Sequence, residues 1–279
     1  MNKRTTHIVS RIILWLCFFI VMALIVTPLY WMVISSLKDG TEALQSPIVW
    51  FGFDVTFDNY VKMIRDMRVD IMAWNTLVIT FFALLISTVA CTMASYAFAR
   101  FMSTAMKIPY YFLLLSAMVP AIVAVRPLYD VFRNAKLINT FPGLIILYTS
   151  SLIPFSVLVL TNFCNAIPMG IDEAAGIDGA SAPKIVFRII LPLLLPAIST
   201  ISIVNFITCL NDFFTPLIFS EDIITLSLGI VSVPNLTGFY QPWELIATMG
   251  CIILLPITIF VFFSEKYIID GLVTGSIKA

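Results

Sequence analysis

Ile171-Asp172-Glu173-Ala174-Ala175-Gly176-Ile177-Asp178-Gly179-Ala180-Ser181, running on to Arg188, is the most polar and small-residue-rich interruption in a chain that otherwise reads as membrane. Asp172 and Glu173 fall in the first turn of a short helix, where the helix dipole favours acids. Ala174, Ala175 and Ile177 give that helix a low, weakly apolar face suited to being covered by another protein surface. Asp178-Gly179 ends it, because glycine enters turn geometry at no steric cost. Ser181 is placed to cap a second helix, with Pro183 tolerated in its first turn. That helix carries Lys184 and Arg188 and leads into Ile189-Ile190-Leu191-Pro192. The stretch therefore predicts a knuckle of two short helices rigidly joined to a membrane span.

Working outward, composition sets the frame. With 60% of its 279 residues hydrophobic and 11% charged, the chain has too little polar surface for a soluble globule. Sixteen basic and sixteen acidic residues cancel, so electrostatics suggests no nucleic-acid partner. The five cysteines, Cys17, Cys91, Cys164, Cys209 and Cys251, each lie in an apolar run without metal-ligand spacing, and read as small packing residues. His7 is the one histidine, which removes most catalytic constellations.

The apolar runs predict an all-α integral membrane protein with six transmembrane helices, at about 12–37, 74–99, 108–125, 141–167, 189–217 and 243–263, forming a single domain over 1–279. The first run exceeds the core of a signal peptide, about 7–15 residues, so it is expected to stay in the bilayer. Pro28 is expected to kink it and Pro154 to interrupt the fourth span. Lys38 to Asp70 reads as a long outer loop holding a short amphipathic helix around Tyr60–Arg68. Arg126–Thr140 reads as a polar segment on the outer surface, and Glu265–Ala279 as a short cytoplasmic tail. Lys3, Arg4 and Arg11 place the first span's start in the cytoplasm, and six spans return both termini there. The loop at 168–188 then faces the cytoplasm by counting spans. Arg11, Arg100, Lys107, Arg188 and Lys266 at inner span ends agree, although the basic totals of the two sides differ little. Trp74 and Trp243, near span ends, fit an interfacial aromatic belt.

The register Glu173-Ala174-Ala175, Gly179, Ile189, Leu191, Pro192 resembles the EAA loop of the permease subunits of binding-protein-dependent ABC importers. In that family Glu-Ala-Ala is followed after three residues by Gly and after nine more by Ile-x-Leu-Pro. The full register between two apolar spans is specific, where a bare Glu-Ala-Ala is not. Further segments are similar to the carbohydrate-uptake branch, the six-helix permeases of maltose-type transporters. They are Pro28-Leu29-Tyr30-Trp31, Ser35-Ser36-Leu37-Lys38, Phe57-Asp58-Asn59-Tyr60, Asn75-Thr76, Ser95-Tyr96-Ala97-Phe98-Ala99-Arg100, Pro127-Leu128-Tyr129, Thr225-Leu226-Ser227-Leu228-Gly229 and the tail from Asp270 to Lys278. Two departures bear on the solute rather than the machine: Leu210 precedes Asn211 where the family often has Trp, and Arg126 precedes Pro-Leu-Tyr where an apolar residue is usual.

The resemblance implies a type I importer permease. Glu173, Ala174, Ala175, Asp178, Gly179, Ala180 and Ser181 would contact a separate ATPase. The chain has no Gly-x-x-x-x-Gly-Lys-Ser/Thr, so ATP and Mg belong to two partner ATP-binding subunits and this chain is itself no enzyme and holds no cofactor. The other implied partners are a second, homologous permease forming a heterodimer, an extracytoplasmic solute-binding protein and membrane lipid, in the inner membrane of a prokaryote. ATPase closure would draw two such loops together and reorient the attached spans between inward- and outward-facing states.

Within the fifth span Ser199, Ser202, Asn205, Thr208 and Asp212 recur at steps of three or four and share a face, with Asn211 beside them. Such a stripe faces protein or water, never lipid. Two readings stand together: a translocation path passing sugar hydroxyls along Ser202, Asn205, Thr208, Asn211 and Asp212, and interhelical glue against a second permease. Other function classes fit less well. A membrane enzyme lacks its nucleophile or acid–base pair here. An ion-coupled secondary transporter needs mid-membrane carboxylates and repeats, and Asp212 is the lone plausible acid. An importer permease for a non-sugar solute is the nearer alternative.

Overall fold

The computed structural model describes residues 3–43, 49–233 and 242–276, and among these every regular element is helical. In chain order they are α1 (Lys3–Ser36), α2 (Gly40–Ala43), α3 (Asp58–Arg65), α4 (Val69–Arg100), α5 (Thr104–Ser116), α6 (Ala121–Asn134), α7 (Phe141–Ala166), α8 (Gly170–Ile177), α9 (Ala182–Ile185), a π turn (Val186–Ile190), α10 (Leu191–Asn211), α11 (Phe214–Phe219), α12 (Leu226–Gly229) and α13 (Trp243–Ser276). Five stretches are long and apolar enough to cross a bilayer: Ser10–Ser36, Val69–Arg100, Phe141–Ala166, Ala182–Asn211 and Trp243–Ser264.

The span expected at 108–125 is a bent pair, which taken as one broken span is the sixth among the described residues. α5 stops at Ser116 and α6 starts at Ala121, turned by 107°. Pro120 explains the break, since it lacks an N–H to continue the helix and pushes the residue before it out of helical geometry. The segment read as a polar surface strip is therefore helical to Asn134 and two-faced. Phe132 is buried edge-on against Phe219, with centroids 5.7 Å apart, while Arg126, Asp130 and Arg133 are exposed. Three other boundaries differ. α7 runs unbroken through Pro154. The fifth span ends at Asn211 rather than 217, because Asp212 is extended and its Oδ1 accepts the Thr215 N–H at 3.1 Å to start α11. α13 continues to Ser276, into what was expected to be a tail. The amphipathic helix expected near Tyr60–Arg68 is α3, burying Asn59 and Met63.

The chain divides into two compact units. The described residues within Met1–Val69 and Ile230–Leu254 form one. Its organising contact is at the end of α1, where helix carbonyls lack intrahelical partners. Buried Asn59 donates through Nδ2 to the carbonyls of Ser36 at 3.0 Å and Lys38 at 2.7 Å. The Tyr60 hydroxyl meets Ser36 Oγ at 2.9 Å, and Thr248 Oγ1 approaches the Ser36 carbonyl at 3.4 Å. Lys38, also buried, donates to the Val49 carbonyl and lies 4.8 Å from the Phe53 ring centroid. The Ser35–Lys38 and Phe57–Tyr60 segments are thus one structural device.

The second unit spans Asp70–Gly229 and Leu255–Ala279 as far as described. α4, α7 and α10 pack through Cys91, Val157, Leu160, Ala197 and Ile201. Ile79, Leu144, Leu147, Tyr148 and Phe219 form a second cluster towards the other end of α4 and α7. There Asn75 Nδ2 donates to the Ile224 carbonyl at 3.0 Å, and Thr76 Oγ1 accepts the Leu226 N–H at 2.9 Å. Ser227 Oγ and the Tyr148 hydroxyl both donate to the Asp212 carbonyl, at 2.6 and 3.3 Å. Asn139, at φ +58, takes the N–H groups of Glu221 and Asp222 and the Ser220 hydroxyl on its single Oδ1, at 2.9–3.1 Å. Asparagine suits this left-handed position better than most residues with a Cβ.

Gly143 sits where the start of α7 meets the preceding turn; a Cβ there would lie 2.0 Å from the Leu137 carbonyl oxygen. Gly143→Ala is expected to destabilise the protein by about 3 kcal/mol, the upper end of overpacking costs. Gly176→Ala is the control, because its Cβ meets nothing within 4 Å and alanine favours a helix by about 1 kcal/mol. Thermal unfolding in detergent checks both: a clear fall in midpoint for the first, none for the second.

Candidate functional site

The loop between α7 and α10 is built as its residues demand. Asp172 and Glu173 occupy the first turn of α8, as the dipole favours. α8 ends in a Schellman motif: Gly179 N–H bonds the Gly176 carbonyl and Ala180 N–H the Ala175 carbonyl, each at 3.0 Å. Gly179 has φ +77, the left-handed geometry the motif requires. Ser181 follows in extended backbone at the start of α9, with Pro183 in the first turn, but its hydroxyl makes no capping hydrogen bond. The capping role expected of that hydroxyl is not used; the Ser181 carbonyl accepts the Ile185 N–H at 3.0 Å. α9 then passes through the π turn, where Leu191 N–H bonds the Val186 carbonyl five residues back. The wide turn lies just before Pro192, whose missing N–H leaves the carbonyl of Arg188 without its helical donor.

One side of this knuckle is packed and the other bare. Ala175, Ile185, Val186 and Ile190 are buried with Tyr96 of α4, Cys164 of α7 and Leu194 of α10. Glu173, Ala174, Asp178, Gly179, Ser181 and Lys184 are exposed, and Ile177 is 86% exposed. A groove of about 540 Å³ runs between the helices, lined by Ile171, Ala174, Ala175, Asp178, Ala180 and Lys184. Of the seven residues expected at a partner contact, Ala175 is buried and Ala180 half-buried; the other five lie on the open side.

Sequence reading missed what fixes this knuckle in place. Arg100, at the end of α4, donates through Nη1 to the Cys164 carbonyl at 3.2 Å and through Nη2 to the Ile167 carbonyl at 3.0 Å. Its Nε lies 2.8 Å from Asp172 Oδ2, with side chains 5% and 14% exposed. The Nε–H is not aimed at the carboxylate, so this contact is an ion pair rather than a hydrogen bond. The available signal was a basic residue closing one span and an acid opening the loop helix.

The polar stripe of α10 is divided. Asn205 is buried, and its amide donates to Ser156 Oγ of α7 at 2.9 Å. Ser199 and Ser202 are half-buried; Thr208 is exposed and bonds back to the Val204 carbonyl at 2.8 Å. Asn211 is exposed at the helix end, and Asp212 lies beyond it, capping α11.

Comparison with known proteins completes the picture. The chain is 30% identical over 277 residues to the trehalose/maltose transport system permease protein of Thermococcus litoralis, covering 98% of each chain. It belongs to the ABC transport-system permease family. The permease is also 30% identical over 253 residues to the trehalose transport system permease protein of Mycobacterium tuberculosis, covering 90% of this chain and 92% of that one. Its fold matches a chain from the crystal structure of a bacterial ABC transporter involved in the import of the acidic polysaccharide alginate. The TM-score is 0.82 at 19% identity, over 96% of the permease and 99% of that chain. No family model matches the sequence. The permease is thus a multi-pass membrane protein with the importer permease fold.

The Asn205–Ser156 bond predicts a double-mutant result. Asn205→Ala and Ser156→Ala are each expected to cost about 0.6–1.7 kcal/mol, the range of interhelical hydrogen bonds in membranes. The double variant is expected to fall short of their sum. Unfolding midpoints in detergent for all four proteins check it.

Proposed function

We propose that the permease forms half of the translocation path of an ATP-driven importer for a sugar, oligosaccharide or polyol, and that the α8–α9 knuckle is its contact with a separate ATPase. The observation carrying this reading is the knuckle's construction. A bare face around Glu173, Ile177 and Gly179 sits on a base packed against the ends of α4, α7 and α10. A surface pressed there moves spans, not a loose loop. The carbohydrate assignment rests on relatives whose transported solutes are trehalose and maltose. The departures at Leu210 and Arg126 leave the individual solute to its binding protein.

The partners are a second homologous permease, two ATP-binding subunits that supply ATP and Mg, and an extracytoplasmic solute-binding protein. Both termini and the knuckle lie in the cytoplasm of a prokaryotic cell, with the α3 and α12 segments outside. Along the path we assign Ser202, which is half-buried, and Thr208 and Asn211, which are exposed. Asn205 and Asp212 act through packing, the first on α7 and the second under α11. An ion-coupled carrier gains nothing from Asp212, whose carboxylate is engaged as a cap.

Reconstitution with the cognate ATPase, second permease and binding protein tests the proposal. ATP-dependent uptake of a labelled disaccharide is expected; uptake without nucleotide would reject it. Two substitutions sharpen the test. Gly179→Val places a β-branched residue at φ +77, at about 1–2 kcal/mol, and is expected to weaken ATPase co-purification, while Gly179→Asn restores it because asparagine accepts that geometry. Glu173→Lys reverses an exposed charge at the contact; breaking a desolvated pair there costs about 2–5 kcal/mol. Uptake is expected to uncouple from ATP turnover, with the apparent affinity for solute unchanged.

A further inference from the structure

Arg100 reaches three elements at once. Two guanidinium nitrogens close the last turn of α7 at the Cys164 and Ile167 carbonyls, and the third lies 2.8 Å from Asp172 Oδ2 in the first turn of α8. The chain itself joins α8 to α7 through 167–169 and to α10 through α9 and the π turn. To α4 no such covalent route is short: the joint is Arg100 together with the packing of Tyr96 and Ala99 on the Ala175 and Ile185 cluster. Packed apolar surfaces shear past one another at little cost. A planar fork hydrogen-bonded to two carbonyls and ion-paired with a carboxylate resists displacement, and parting the pair strands a charge away from water. Both Asp172 oxygens are shielded from solvent, with the Tyr96 hydroxyl and Arg100 beside them, and of these two Arg100 is the charge that compensates the carboxylate.

We propose that Arg100 is a positioning residue of the transport cycle, clamping α8 to the ends of α4 and α7 so that a displacement of α8 is delivered to those spans as well as to α10. This rests on the reading of the knuckle as the ATPase contact. The unmodified complex in proteoliposomes tests that reading, because ATP-driven uptake must be present before any variant is compared. The clamp is then tested by Asp172→Asn, which keeps shape and removes charge, and by Arg100→Lys, which keeps charge and loses the fork. ATP turnover stimulated by the loaded binding protein, and uptake, are measured on the same vesicles. Both variants are expected to retain the ATPase and hydrolyse ATP, while uptake per ATP falls about fivefold, within the range that residues along a coupling route impose. The double variant is expected to fall no further than the worse single one, since each removes the same clamp. Uptake per ATP within about twofold of the unmodified complex in both single variants would overturn the proposal. So would loss of the ATPase from the purified variants, which would make the pair a structural support of the knuckle only.

Discussion

The ends of the spans pose one problem: carbonyls and N–H groups that the helix leaves unpaired, beside an apolar medium. The solution recurs along the chain as one polar side chain collecting several backbone groups. Asn59 takes two carbonyls after α1, Arg100 takes two at the end of α7, and Asn139 gathers two N–H groups and a hydroxyl before α7. Thr76 and Asn75 hold the irregular segment entering α12. These knots, more than the apolar contacts between spans, decide where each helix stops and what it is tied to. Apolar packing against lipid or protein is nearly interchangeable in a membrane, whereas an unpaired backbone group is not.

The same device holds a loop helix in place. α8 lies outside the apolar spans, and a helix of eight residues has little stability of its own. It holds its place because its Schellman end is closed, its Ala175 side is buried and its first turn is charged against Arg100. The opposite side is left bare and carries Glu173 and Ile177. Rigidity on one side and exposure on the other are what a force-transmitting contact needs. On the proposed function the small residues serve both demands, letting a partner approach closely while filling little of the base.

Much of this was legible in the sequence, for physical reasons that can be named. Glycine at position 179 after a helical stretch announces a left-handed turn, and long apolar runs announce spans, so the knuckle and most helices were readable. The broken pair at Pro120 was hidden because hydropathy sees composition and not direction; the apolar run continues across a bend of 107°. Asp212 looked like a polar residue on a helix face because periodicity cannot show that the helix ends one residue earlier. Asn205 fitted both a path and interhelical glue, and only the position of Ser156 on a neighbouring helix distinguishes its contact. Arg100 and Asp172 are far apart in sequence, and nothing local links a basic span end to a loop acid.

On the proposed function, the bare face of α8 meets an ATPase in the cytoplasm. Ile177→Cys, at a site 86% exposed, tests it most directly through labelling with a membrane-impermeant maleimide, read against the unsubstituted protein as background. Labelling is expected only when the cytoplasmic side is opened, with protection when the ATPase subunits are bound. Labelling of intact cells from outside, or equal labelling with and without the ATPase, would contradict it.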